Sequence, residues 1–208
     1  MIRFVLTALV LTFPGLCAGQ DVARVIKPEI RVGDSWTYRS ANVFAPGIHD
    51  IEHRVSFADG KVILMVTTSK SDGKEADSTW TSDWNIVNSH GGMMFRPDSG
   101  VFRFPMLVGN AHQVKYDMMR PRESVAESST TGSVKVVGWE TVQVAAGTFR
   151  ALRIELDSMV QRSDIPRPHP RRVTFWYSPE VRRWVKMQGS TPRISFGEEL
   201  LGYKLNEN

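Results

Sequence analysis

From residue 138 to residue 156 the chain reads GWETVQVAAGTFRALRIEL, and its apolar side chains recur at every second position. Val142 and Val144 alternate with Thr141 and Gln143; Leu152, Ile154 and Leu156 alternate with Arg153, Glu155 and Asp157. A period of two is that of a half-buried strand, and the small-residue break Ala145-Ala146-Gly147 predicts an antiparallel hairpin between the two runs. The same spacing recurs along the chain, and no stretch after the first twenty residues carries the 3.6 period of a long amphipathic helix. The expected fold class is all-β: a single curled antiparallel sheet, a half-barrel or a barrel, with short turns and few or no helices. About nine or ten strands are expected, and such a sheet must curl or close to hide its edges.

The other strands are placed by the same pattern. Residues 49–57 and 61–69 form a hairpin through Ala58-Asp59-Gly60, an Asp-Gly turn between alternating runs. Residues 78–87 read as one strand with Trp80, Ser82 and Trp84 on a common face, and residues 93–97 and 101–104 as two short ones. Residues 121–131 are polar and read as an exposed connection. Pro166, Pro168 and Pro170 stiffen residues 162–172 into a basic loop, because proline removes a ladder donor. Residues 173–177, 184–187 and 196–205 supply the last strands. Residues 108–116 echo residues 32–38, over too few positions to establish a repeat.

Residues 1–19 read as a secretory signal peptide: Arg3, an apolar run over 4–13, then small residues towards Gly19. That run is well short of the roughly 20 residues a membrane-spanning helix needs. Residues 20–30 are then an N-terminal extension and 31–208 an antiparallel β-domain. The expected destination is the periplasm or the medium, with peripheral membrane association at most. The one cysteine, Cys17, offers lipoprotein anchoring as an alternative, against which stands the bulky Leu16 directly before it. Cleavage after Cys17 would leave no thiol, so stability would rest on packing rather than on disulfides.

Charge and aromatic content supply the candidate contacts. The formal charge is +4, and residues 150–208 carry eleven basic against seven acidic side chains. Arg162, Arg167, Arg171 and Arg172 form the candidate contact for an anionic ligand, the alternative being a solvated basic face. Of six tryptophans, Trp80, Trp84 and Trp176 are the candidate lining of an apolar cleft, for instance for an acyl chain; the alternative is that they fill the core. His49 and His53 on a strand would share a face about 13 Å apart, too far to chelate one ion, so no metal site is assigned. No Gly-x-Ser-x-Gly elbow or phosphate-cradling glycine loop is present, Ser71-Asp72-Gly73-Lys74 reads as a turn, and Glu198 and Glu199 alternate to opposite faces. No catalytic residue and no cofactor is expected. Nucleic acid is excluded as a partner by the modest charge and the export signal; lipid, another envelope component or a protein partner remains.

Gly138-Trp139-Glu140-Thr141-Val142, Val144-Ala145-Ala146-Gly147-Thr148-Phe149, Ala151-Leu152-Arg153-Ile154 and Trp176-Tyr177-Ser178-Pro179-Glu180-Val181 together resemble the TapB-like group of bacterial exported β-domains of unknown function. The sequence departs from that pattern at Ala145, where proline is usual, and at Arg182-Arg183, where a small Gly-rich turn is expected. The resemblance implies an antiparallel β-domain and transfers no catalytic residue. In physical terms Gly147 supplies a positive φ, Phe149 a core anchor and Ser178-Pro179 a corner. The function expected is a non-enzymatic periplasmic or secreted binding or envelope-assembly module for an apolar or anionic ligand. The alternatives are a hydrolase or other enzyme with a site in the sheet's concavity, and a structural subunit of an envelope complex.

Overall fold

The structure is a computed structural model that describes residues 24–41, 47–123 and 125–207. The expected signal segment at 1–19 and Cys17 lie outside the described residues. Twelve strands are present among the described residues: β1 (Ser35–Ala41), β2 (Ile48–Ala58), β3 (Val62–Ser69), β4 (Glu75–Thr81), β5 (Ile86–Asn88), β6 (Met94–Arg96), β7 (Ala111–Met119), β8 (Ser128–Val144), β9 (Gly147–Arg162), β10 (His169–Ser178), β11 (Arg183–Ser190) and β12 (Ser195–Lys204). Each pairs antiparallel with its neighbours in sequence, and β1 pairs with β12, so the sheet is a closed barrel. Closure removes the unpaired edges that an open sheet would expose.

The β8–β9 hairpin is the longest pairing. Ala145 and Ala146 make its two-residue turn, and Gly147, at φ 137°, pairs with Val144. Val134, Val136, Ile154 and Leu156 face inward, and Phe149 is buried beside them. Burying each such side chain contributes about 1.5–3 kcal/mol, which is why the alternation in this stretch fixes which face is inside.

Several boundaries differ from the sequence expectation. Residues 78–87 are two strands rather than one: β4 ends at Thr81, Trp84 takes a left-handed φ of 64°, and β5 begins after Asn85. Residues 101–104 form no strand; they run into the barrel interior, where Val101 and Phe102 are buried. β8 begins at Ser128, inside the segment expected to be an exposed connection, and both Ser128 and Thr130 are buried. Pro170 sits in a ladder, opposite Met159. It is tolerated because β10 pairs with β11 only from Arg172 onward, so at Pro170 one side of β10 is a free edge that needs no N–H.

Two devices hold the interior and the ends. The segment after β6 is gripped by Asn85, whose carboxamide donates to the Phe102 carbonyl and accepts from the Phe102 N–H, both at 2.8 Å. Ser99 and Ile86 exchange a second pair of bonds, and Val25 pairs with Met106 through two backbone bonds. At the chain ends, the fully buried Asp34 carboxylate accepts from the backbone N–H groups of Arg31 at 3.0 Å and Asn206 at 2.7 Å, with Arg182 Nη1 at 3.5 Å.

Candidate functional site

Three aromatic side chains fix the backbone that leads into β11. Trp36 Nε1 donates to the Val181 carbonyl at 2.7 Å, Trp84 Nε1 to Arg182 at 2.8 Å, and the Tyr38 hydroxyl to Trp184 at 2.6 Å. With Arg182 turned to φ 59°, the next side chain, Arg183, is directed into the barrel. Arg183 is 0% exposed, and its guanidinium carbon lies 4.3 Å from the Trp184 ring centroid, 4.9 Å from Trp84, 5.2 Å from Trp36, 5.4 Å from Tyr38 and 5.5 Å from Trp80. Its Nη1 approaches the Met65 sulfur at 3.9 Å, while Nε and Nη2 have no hydrogen-bond partner among the described residues. Burial pushes the Arg183 pKa down from its ordinary value, opposed by Tyr38 and Glu198. Ring faces carry negative potential, so this cage replaces part of the hydration the cation has lost.

Beside the cage, His53 is buried, with Nδ1 2.8 Å from the Thr67 hydroxyl and its ring 5.9 Å from the rings of both Tyr38 and His90. Burial first, then the Arg183 charge, holds the His53 pKa well below the usual imidazole value; His90 is lowered mainly by burial. Glu198 accepts from Trp184 Nε1 at 3.1 Å while Glu199 pairs outside with Lys186 at 2.6 Å, so these two carboxylates face opposite ways. Among the described residues no three His, Cys, Asp or Glu side chains converge in a group that could hold a metal ion.

The second feature is a groove of about 710 Å³ on the outer wall. Strand register explains it. Gln113 on β7 pairs with Ser133 on β8, Ser133 with Asp157 on β9, Asp157 with Arg172 on β10, and Arg172 with Ser190 on β11. These five side chains form one row across five strands, on the face opposite to Val134, Leu156 and Val173. A second row, Thr131, Met159 and Pro170, runs beside it, and Thr191 and Pro192 after β11 form a rim. Arg172 Nε lies 2.6 Å from Asp157 Oδ1, the two side chains being 81% and 58% exposed, so both remain available to a ligand. Gly132 lets β8 and β9 close on each other beneath this row: a Cβ there would lie 2.5 Å from the Asp157 carbonyl oxygen.

The expected anion contacts are dispersed. Arg171 and Arg172 both line the groove, Arg172 on its floor and Arg171 with its guanidinium turned to the Tyr116 hydroxyl, its Nε buried without a partner among the described residues. Arg162 pairs with Asp164 at 2.8 Å, and Arg167 is exposed on the loop before β10. Of the expected cleft tryptophans, Trp80 and Trp84 come together 6.2 Å apart around Arg183. Trp176 is elsewhere: its Nε1 donates to Glu140 at 2.7 Å, and Glu140 also holds Arg153 at 2.7 Å. Sequence reasoning missed Arg183 and the row Gln113, Ser133 and Asp157. The row was discoverable only through register. The signal for Arg183 was a basic residue placed directly before Trp184 and Val185 at the start of an apolar strand.

No protein-family model matches this chain, and no curated protein does. Solved structures do share its fold. A protein from Parabacteroides distasonis designated a lipoprotein superposes with a TM-score of 0.54 at 11% identity, covering 89% of this chain and 100% of that one. The hypothetical lipoprotein YmcC from Escherichia coli gives 0.51 at 10% identity, over 84% and 85% of the two chains. An exported protein with a YmcC-like fold from Bacteroides fragilis gives 0.44 at 15% identity, over 88% and 100%. At such identities the first two establish a shared barrel architecture.

Proposed function

We propose that this chain is a non-enzymatic binding module of the bacterial envelope, exported to the periplasm or the medium, whose ligand lies in the groove across β7–β11. The groove carries this reading. Its volume is in the range of small-molecule sites, and it is lined by hydroxyl, amide, carboxylate and guanidinium groups that converge on one surface. No histidine is among the described residues that line it, so none of these places an imidazole base beside its serines. The barrel interior offers a ligand less, because Trp36, Trp84, Phe102, Tyr177 and Arg183 already fill it. The export reading is supported by the leader-like residues 1–19, by the TapB-like motifs and by the fold shared with proteins designated lipoproteins.

The test is native mass spectrometry of protein recovered gently from the envelope, wild type beside Ser133→Trp, which places a large side chain on the exposed groove floor. A non-covalent adduct present on the wild type and absent from the variant is the expected result. An identical adduct on both proteins, or none on either, would refute the groove as the binding site.

A further inference from the structure

The chemistry of the groove narrows the ligand class. Asp157 and Arg172 pair on its floor and the second lining arginine, Arg171, is turned to the Tyr116 hydroxyl, so the one net positive charge of the lining is little to select a polyanion. Its wholly apolar side chains are Met159, Pro170 and Pro192, too few to enclose an acyl chain in an open groove. An extended peptide would most readily add to a sheet edge, and the edge that β10 leaves free at the groove, residues 169–171, is only three residues long. What the row supplies is alternating donors and acceptors: the Gln113 amide, the Ser133 and Ser190 hydroxyls, the Asp157 carboxylate and the Arg172 guanidinium. Adjacent carboxylate and guanidinium groups can accept from and donate to neighbouring hydroxyls of one sugar ring. The apolar edges of Met159, Pro170 and Pro192 give C–H surface for ring faces. The row crosses four inter-strand gaps, a length of roughly 19 Å at the usual strand spacing.

We infer that the groove binds a linear glycan chain laid across strands β7–β11, with successive sugars over successive strands. This rests on the groove being the binding site. Asp157 and Arg172 hold the central sugar, Gln113 and Ser190 the flanking ones, and the chain extends past Thr191 and Pro192. Binding strengthens with glycan length until the floor is covered, because each strand adds a subsite.

The experiment is binding of the purified β-domain to an array of linear glycans of two to eight sugars, neutral and acidic. Wild type, Asp157→Ala/Arg172→Ala and Ser133→Trp are compared, with circular dichroism showing that all three fold. The expected result is capture of at least one glycan series, with affinity rising at least tenfold from disaccharide to hexasaccharide and falling at least tenfold in the double variant. Length-independent binding, binding unchanged in the double variant, or capture of no glycan would overturn the inference. Anionic phosphatidylglycerol vesicles and polyphosphate are run in parallel. If these bind in a manner lost in Ser133→Trp while no glycan binds, the glycan assignment falls and the groove stands as a site; if no probe is sensitive to Ser133→Trp, both fall.

Discussion

The Asn85 carboxamide serves the backbone of Phe102 as a neighbouring strand would, giving one hydrogen bond and receiving one, each at 2.8 Å. Phe102 in turn lies face to face with Trp184, ring centroids 5.8 Å apart at an interplanar angle of 11°. One side chain thus satisfies two buried backbone groups that no ladder reaches. Asn85→Ala leaves both unpaired and is expected to cost about 2–6 kcal/mol, given about 1–3 kcal/mol for each orphaned buried group. Urea unfolding followed by tryptophan fluorescence measures this. Asn85→Asp, which keeps the acceptor and loses the donor, is expected to fall between wild type and Asn85→Ala.

Arg183 is a buried cation with no carboxylate within ion-pair distance among the described residues, so its charge rests on ring faces and on the more distant Glu198. Desolvating a charge costs several kcal/mol, and a cation–π contact returns about 2 kcal/mol when fully desolvated. Arg183→Met, similar in length and uncharged, is therefore expected to leave stability unchanged or raise it by about 1–3 kcal/mol. Arg183→Ala empties the cage and is expected to cost about 3 kcal/mol or more. Chemical denaturation of the two variants, side by side, separates the charge from the volume.

His53 gives the pH dependence. Its folded-state pKa lies below the unfolded value, so the unfolded chain binds the extra proton and stability falls as pH drops through about 6.5. His90 acts in the same direction. Above that pH both are neutral in either state and contribute nothing to the slope. Each proton taken up only on unfolding tilts stability by up to about 1.4 kcal/mol per pH unit. Urea midpoints between pH 7.5 and 5.0 are expected to decline below 6.5, and His53→Gln is expected to flatten the decline. A slope unchanged by that substitution would show that the imidazole takes up its proton alike in both states.

Gly132 tests the close approach of β8 and β9. A methyl group there meets the Asp157 carbonyl oxygen at 2.5 Å and the Ser158 Cα at 2.9 Å, both backbone atoms that cannot rotate away. Gly132→Ala is expected to destabilise by about 1–3 kcal/mol through overpacking. It is also expected to weaken any ligand bound on the groove, since it spreads the strands that carry Thr131, Ser133 and Asp157. Thermal unfolding and the glycan array report the two effects separately.

The all-β class, the β2–β3 and β8–β9 hairpins and the corner at Ser178-Pro179 were legible because alternation and turn chemistry are local. At Trp84 and Pro170 tertiary contacts overrode local pattern. Trp84 fits the period of a strand, yet its indole N–H is needed by the Arg182 carbonyl, and that contact holds it at a left-handed φ. Pro170 reads as a ladder breaker until β11 is known to stop pairing at Arg172. β5, at three residues, is too short to show a period of its own. The groove was illegible for another reason. Gln113, Ser133, Asp157, Arg172 and Ser190 are ordinary surface residues in sequence, and only the register of four strand pairings makes them neighbours.

The pairing of Ser35–Ala41 with residues 197–204 has a consequence for how the barrel is made. The first strand formed is the last to be completed on its outer side. Until β12 arrives, β1 presents an open row of N–H and C=O groups, and a growing or translocating chain carries that sticky edge for almost its whole length. Such a chain folds slowly, because its decisive contact joins opposite ends, and it is exposed to mispairing while it waits. Removing the last strand therefore does not trim the protein; it turns a sealed cylinder into an open sheet seeking another chain.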